Sequence, residues 1–318
     1  MNMACPQQRA ALGFVLGGTL LASCPPLLAL DPSLDVSQYA HKAWRISEGF
    51  TRGTITSIAQ TPDGYLWLGT EFRLLRFDGV RAVPFQPRAG QSLPGNGVMS
   101  LLAARDGTLW IGTTDGLASL KDNELHQYPQ LGGQQVWNLL EDREGVVWVG
   151  GSGVPTARLC SIHQGNVSCQ GEDGRLGHLI SSLYEDRTGN LWVGTLTGLW
   201  RWRPGPPIFY PVPGEPNGIQ PLNEDQDGAL LIGGRNGIRR FVDGRIEEFP
   251  LPRAVPPFEP QAFLRDRDGG LWVATYDRGL VHVHDGRADV FGPADGFSGG
   301  GSSTRGSGVG VGGLGRRS

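Results

Sequence analysis

Three acidic pairs, Glu141-Asp142, Glu185-Asp186 and Glu224-Asp225, are the residues whose types and spacing most invite chemistry. Paired carboxylates can share the acid and base work of glycoside hydrolysis. The pairs recur, however, three residues ahead of a glycine in successive segments, as does Asp266, whereas a catalytic pair is needed once per site. An Asp so placed accepts from backbone amides further along a hairpin turn, and the Gly supplies a positive φ, so these carboxylates read as turn chemistry. His282 and His284 share one strand face, where a metal can be imagined. No third ligand stands close in sequence, so they read as an exposed pair, and neither a metal nor another cofactor is expected. Cys160 and Cys169 flank a Gln164-Gly165 turn that would set them opposite each other on antiparallel strands, within disulfide reach. The other reading is two unpaired small core residues. Trp44, Arg73, Arg235 and Tyr276 are candidates for ligand contact, being aromatic or guanidinium groups at loops and strand ends.

The elements that must position these residues follow from one phrase found six times. It begins at Gly64, Gly107, Gly145, Gly189, Gly228 and Gly269 and carries Trp67, Trp110, Trp148, Trp192, Leu231 and Trp272 three residues on, with a spacing of 38 to 44 residues. Each unit is rich in β-formers and turn residues, and none contains a useful amphipathic helix. Residues 98 to 128 show the plan: Val98 to Ala103, Thr108 to Thr113, Leu117 to Leu120 and Leu125 to Tyr128, separated by turns. A four-stranded sheet covers both faces only by stacking on neighbours, so the fold class is all-β, a β-propeller of four-stranded antiparallel blades with the recurring Trp or Leu between blades.

The 50 Gly, 23 Pro and 9 Trp among 318 residues agree with short strands and tight turns. A net charge of −3 without a basic run excludes nucleic acid as a partner class. Residues 1–30 read as a signal peptide, with Arg9 ahead of an apolar run too short to span a bilayer. Two processing routes fit: a lipoprotein box at Leu21-Ala22-Ser23-Cys24, anchoring at Cys24, and an ordinary cut near Leu30. No membrane span follows, so the expected location is periplasmic or extracellular. Residues 31–297 then form the propeller domain, and the tail 298–318, with nine Gly and five Ser, is too poor in apolar surface to order itself.

The opening Tyr39 to Gly49, the segment Ile58 to Thr70, Leu75 to Arg81 and Glu141 to Gly150 resemble the two-component regulator propeller family, the sensing repeats of hybrid histidine kinases and some diguanylate cyclases. The resemblance covers about residues 39 to 297. It implies a propeller outside the membrane that binds a small-molecule or oligosaccharide signal and dimerises in the full-length receptor, followed by an immunoglobulin-like domain, a membrane helix and an output domain. The continuation of the repeat at Asp295-Gly296-Phe297 points to an interrupted seven-bladed ring. Strands of a seventh blade should follow Gly296, where the Gly/Ser tail stands instead, as in a truncated or frame-shifted product. A six-bladed ring completed by His41 to Ser47 as a last strand is the alternative. The function expected is therefore ligand sensing without a catalytic site in this chain. The rivals are a propeller enzyme, lyase or glycosidase-like, and a protein-interaction scaffold. A sialidase needs an arginine cluster with a Tyr and an acidic partner, and a lyase needs a base near a bound metal; neither motif is legible, and the repeated phrase lacks the Ser-x-Asp-x-Gly-x-Thr-Trp form.

Overall fold

The alternation of β-formers and turns is realised as six antiparallel four-stranded sheets in a computed structural model, which describes residues 53–214, 218–235, 237–251, 255–266, 268–276, 278–292 and 295. Blade I holds β1 (Ile55–Gln60), β2 (Leu66–Thr70), β3 (Leu74–Phe77) and β4 (Ala82–Pro84); blade II holds β5 (Val98–Ala103), β6 (Leu109–Thr113), β7 (Gly116–Lys121) and β8 (Glu124–Gln127). Blade III holds β9 (Gln135–Glu141), β10 (Val147–Ser152), β11 (Leu159–His163) and β12 (Asn166–Gln170); blade IV holds β13 (Ile180–Glu185), β14 (Leu191–Thr195), β15 (Gly198–Arg203) and β16 (Ile208–Pro211). Blade V holds β17 (Leu222–Glu224), β18 (Leu230–Gly234), β19 (Gly237–Val242) and β20 (Arg245–Glu248); blade VI holds β21 (Pro260–Arg265), β22 (Leu271–Thr275), β23 (Gly279–His284) and β24 (Arg287–Phe291). Strands pair in chain order in every sheet, so the chain is a propeller of four-stranded antiparallel blades.

The recurring aromatic residue of the second strand lies between blades, as its period implies. Trp67 packs with Val98, Leu101 and Ile111 of blade II, and Trp110 with Val136, Val147 and Val149 of blade III. Trp148 meets Ile180 and Val193 of blade IV, Trp192 meets Ile219 and Ile232 of blade V, and Leu231 meets Phe263 and Val273 of blade VI. A Trp buried in this way removes roughly 200 Å² from water, about 5 kcal/mol gross, which is why a large apolar side chain recurs at this position. Next to the Trp, glycine is set by close approach: a Cβ on Gly112 would stand 2.7 Å from both Val136 O and Val136 Cγ1. Around the axis, first strands are tied by side chains to the next blade's backbone, Thr56 Oγ1 to Val98 O (2.5 Å), Ser100 Oγ to Val136 O (2.9 Å), Asn138 Nδ2 to Ile180 O (2.9 Å) and Ser182 Oγ to Ile219 O (2.7 Å).

The antiparallel meander sorts the loops onto two faces. Turns between second and third strands share one face with the connections that lead to the next blade; turns between first and second strands and between third and fourth strands share the other. In blade III the Gln164-Gly165 turn has φ of 49° and 80°, which brings Cys160 opposite Cys169 with Cα atoms 4.0 Å apart and a disulfide between them. The signal segment 1–30 with Cys24, Trp44, the strand expected from His41 to Ser47, any seventh blade after Gly296 and the tail 298–318 lie outside the described residues. Among the described residues, no helix is long and apolar enough to cross a membrane.

Candidate functional site

The threonine that closes the repeated phrase builds the turn on which candidate side chains are mounted. Thr70 Oγ1 accepts from the Phe72 and Arg73 amides (3.3 and 3.0 Å) and donates to Arg73 O (2.8 Å). Thr275 Oγ1 accepts from the Arg278 amide (3.0 Å) and donates to Gly279 O (3.0 Å). Because this turn holds itself with its own hydroxyl, its tip residues need no packing and point into solvent. Arg73 occupies the tip of such a turn in blade I and Tyr276 in blade VI, whereas in blade V Gly234 stands at the threonine position and Arg235 follows it; all three side chains are exposed. Three of the four predicted contact residues are thus brought to one face. Phe72, 58% exposed, and Leu196 of blade IV add apolar tips there, and Val154 of blade III joins them from the segment after β10. Sequence reasoning passed over these three because isolated apolar loop residues carry no signal until the faces are assigned. A small cleft between blades V and VI opens on this face, lined by Gly218, Gln220, Arg235, Glu259 and Gln261. Guanidinium groups and aromatic rims in this arrangement can hold a polar ligand with carboxylate or hydroxyl groups.

The acidic pairs sit on the opposite face and divide their work. Asp186 Oδ2 accepts from Trp192 Nε1 (2.7 Å) and Asn190 Nδ2 (2.6 Å), while its Oδ1 accepts from the Thr188 and Asn190 amides (2.9 Å each). Asp142 and Asp266 hold Trp148 and Trp272 in the same way, at 2.7 and 3.1 Å. Burial pushes the Asp186 carboxyl up, but the bonds from Trp192, Asn190 and Thr188 together outweigh it and leave the group below its ordinary value. In blade II the Asp position is Ala104, and Trp110 Nε1 is buried without a hydrogen-bond partner. In blade V the Trp is Leu231, and Asp225 instead accepts from Arg265 of blade VI (2.9 Å).

The glutamates form a contact that the sequence reading did not anticipate. Each is gripped by the arginine of the preceding blade's turn: Arg105 on Glu141 (Nε to Oε1, 3.2 Å), Arg143 on Glu185 (amide to Oε2, 3.0 Å) and Arg187 on Glu224 (Nε to Oε1, 2.9 Å). The same guanidinium groups donate to turn carbonyls of the next blade, Arg143 to Arg187 O at 2.7 Å and to Asp186 O. Burial holds Glu185 above the ordinary carboxylate range despite Arg143 and Arg203. These carboxylates are therefore committed to holding blades together. Blade I cannot make the grip, since Pro62 stands at the arginine position and Ala103 at the glutamate position of blade II.

The histidine pair departs from its sequence reading. The register of β23 and β24 sets Asp289 opposite His282, so a third donor is present: donor atoms of His282, His284 and Asp289 all lie within 4.8 Å of one another. Pairing across a hairpin, rather than nearness along one strand, supplies it. His284 Nε2 stands 2.7 Å from Asp289 Oδ2 and His282 Nε2 stands 3.0 Å from Asp266 Oδ2. Burial raises Asp266, but its bonds with His282, the Gly270 amide and Trp272 outweigh that and hold it low.

A family model described as a two-component regulator propeller matches residues 49–72, 92–115, 130–153, 169–197 and 259–277. The matches fall on blades I to IV and VI; blade V, where Leu231 replaces Trp, lies between the last two. Among solved structures, the chain is similar to two extracellular domains ascribed to hybrid two-component systems of B. thetaiotaomicron, at 19% and 18% identity with TM-scores of 0.63 and 0.60. The alignments cover 77% and 76% of this chain but 35% and 33% of those domains, so the chain spans about a third of their length. It is also similar to virginiamycin B lyase from Staphylococcus aureus, at 17% identity and a TM-score of 0.58, covering 75% of this chain and 84% of the lyase. At such identities these likenesses show the fold alone. No curated protein matches the chain.

Proposed function

We propose, for a chain whose repeats belong to the two-component regulator propeller family, that this domain is the extracytoplasmic sensing propeller of a two-component receptor and takes its signal at the mouth formed by the turns between second and third strands. The observation that carries the reading is the placement on that face of Arg73, Arg235 and Tyr276 from three different blades, all exposed, with Arg73 and Tyr276 on turns that hold themselves. The cleft beside Arg235 gives the mouth a concave element with Glu259 in its lining. Guanidinium and aromatic groups suit an oligosaccharide or another small polyol bearing carboxylates, through forked hydrogen bonds and ring stacking. The commitment of the acidic pairs to tryptophan and arginine contacts favours binding over hydrolysis. Occupancy would be passed to an output domain of the full receptor as a change in propeller or dimer geometry. The test is a melt-shift screen of the folded chain against neutral and uronate-containing oligosaccharides. At least one member should raise the melting temperature, and Arg235→Ala or Tyr276→Ala should abolish the shift, with circular dichroism showing that each variant is folded. No shift across the panel, or a shift that survives both substitutions, overturns the reading.

A further inference from the structure

We propose that His282, His284 and Asp289 form a binding site for one divalent transition cation of the zinc class on blade VI. The donors stand on paired strands, with His282 opposite Asp289 and donor atoms no more than 4.8 Å apart. The two imidazoles set the cation class: two nitrogens and a carboxylate suit Zn²⁺ and its neighbours, whereas Mg²⁺ and Ca²⁺ take oxygen ligands. A tetrahedral site with bonds of 2.0–2.1 Å needs donors about 3.3 Å apart. Side-chain rotation within the cluster closes that gap, and the hydrogen bond between His284 and Asp289 gives way to two metal bonds.

The surroundings of His282 are those of an oriented ligand. Its Nε2 is engaged by Asp266 Oδ2, a carboxylate on the far ring nitrogen that fixes the tautomer and leaves Nδ1 as the donor. The ring stacks on Trp272 (3.9 Å, 7°) and on His284 (4.4 Å, 24°). Stacking occupies the π faces, whereas a metal binds in the ring plane, so the edge stays clear. Asp266 is itself held by Trp272 Nε1 and the Gly270 amide, so the orienting group does not drift.

Comparison of the blades isolates the feature. The residue paired with the second-strand Trp or Leu is Arg76 in blade I, Ser119 in II, Ser161 in III, Arg201 in IV and Arg240 in V, and histidine in VI alone. Packing therefore does not demand imidazole at this position. Asp289, with its side chain 55% exposed, gives an ion access from solvent. The site borders the turn at Asp285-Gly286, on the face opposite Arg73, Arg235 and Tyr276, so it is independent of the proposed signal mouth.

The test uses the whole tag-free chain, depleted of metal by dialysis against a chelator. Calorimetric titration with Zn²⁺ should give one site per chain, and Co²⁺ should give the visible absorption of a tetrahedral centre. His284→Ala and Asp289→Asn should each weaken Zn²⁺ binding at least 10-fold and abolish the Co²⁺ bands, whereas His163→Ala, an exposed histidine on blade III, should change neither. Circular dichroism melts of the metal-free variants check folding, and the exposed Asp289→Asn keeps the test informative if His284→Ala does not fold. Absence of a stoichiometric Zn²⁺ site, or binding by Asp289→Asn equal to the parent chain, overturns the proposal.

Discussion

Replacing Asp186 with alanine strips one carboxylate of its bonds to Trp192 Nε1, Asn190 Nδ2, the Thr188 hydroxyl and the Thr188 and Asn190 amides. The amides and the Asn190 side chain stand near the surface and can turn to water. The Trp192 indole cannot, since it is 6% exposed and wedged against blade V. An unsatisfied buried N–H costs about 1–3 kcal/mol, and losing bonds to a charged acceptor adds to this, so the substitution should cost about 3 kcal/mol. For a domain of this size that is roughly 6–12 °C of melting temperature. Urea unfolding followed by circular dichroism at pH 7 measures it, with Asp186→Asn as an intermediate case because it keeps one acceptor oxygen. The reciprocal change is available in blade II, where the Ala104 backbone makes the same turn bonds and Trp110 Nε1 lacks a partner. Ala104→Asp should therefore stabilise by about 1 kcal/mol, the net worth of one buried hydrogen bond. A cost below about 1 kcal/mol for Asp186→Ala, together with destabilisation by Ala104→Asp, would refute the view that this carboxylate exists to satisfy the indole.

Further outcomes follow from the same contacts. Arg143→Ala removes the guanidinium's bonds to the blade IV turn and its 3.9 Å ion pair with Glu185, while the backbone amide bond to Glu185 stays; because the arginine is half exposed, the loss should be about 1 kcal/mol, and Arg143→Lys should recover little of it, since an ammonium cannot fork between the carbonyls, as urea midpoints would show. Asp186 and Asp266 have carboxyl groups held below their unfolded value, so their contribution is fully present above about pH 4 and is lost as pH falls through the folded value. The stability gap between the parent chain and Asp186→Ala should be flat from pH 7 to about pH 5 and should narrow below about pH 4 in a urea series against pH. Reduction of the disulfide, or the double change Cys160→Ser and Cys169→Ser, opens a loop of sequence separation 9 and should cost about 2–3 kcal/mol, read as a lower urea midpoint.

Much of this molecule is legible in its sequence because its signals are periodic or local. A phrase repeated six times predicts the blades, the alternation within it predicts that Trp67 through Trp272 lie on one face, and the turn Gln164-Gly165 predicts which cysteines oppose each other. What escaped notice involves partners that only blade stacking or hairpin register brings together. Glu185 reads as half of an acidic pair until Arg143, 42 residues earlier, is set beside it by blade stacking. Asp289 is only five residues from His284, yet it joins the histidines through hairpin register, which Asp285 and Gly286 fix with φ of 45° and 70°. The candidate mouth was legible as residue types but not as a place, because Arg73, Arg235 and Tyr276 come to one face only once the loops are sorted onto two faces. Trp44 lies outside the described residues.

The claim that this propeller reads a signal at one mouth is tested most directly by hydrogen exchange of the folded chain, with and without the oligosaccharide that gives the largest melt shift. The account predicts slowed exchange at the turns around residues 70–74, 234–237 and 275–279 and unchanged exchange at the turns around 104–108, 142–146 and 186–190 on the other face. Protection confined to that other face, or to the outer strands, would contradict it.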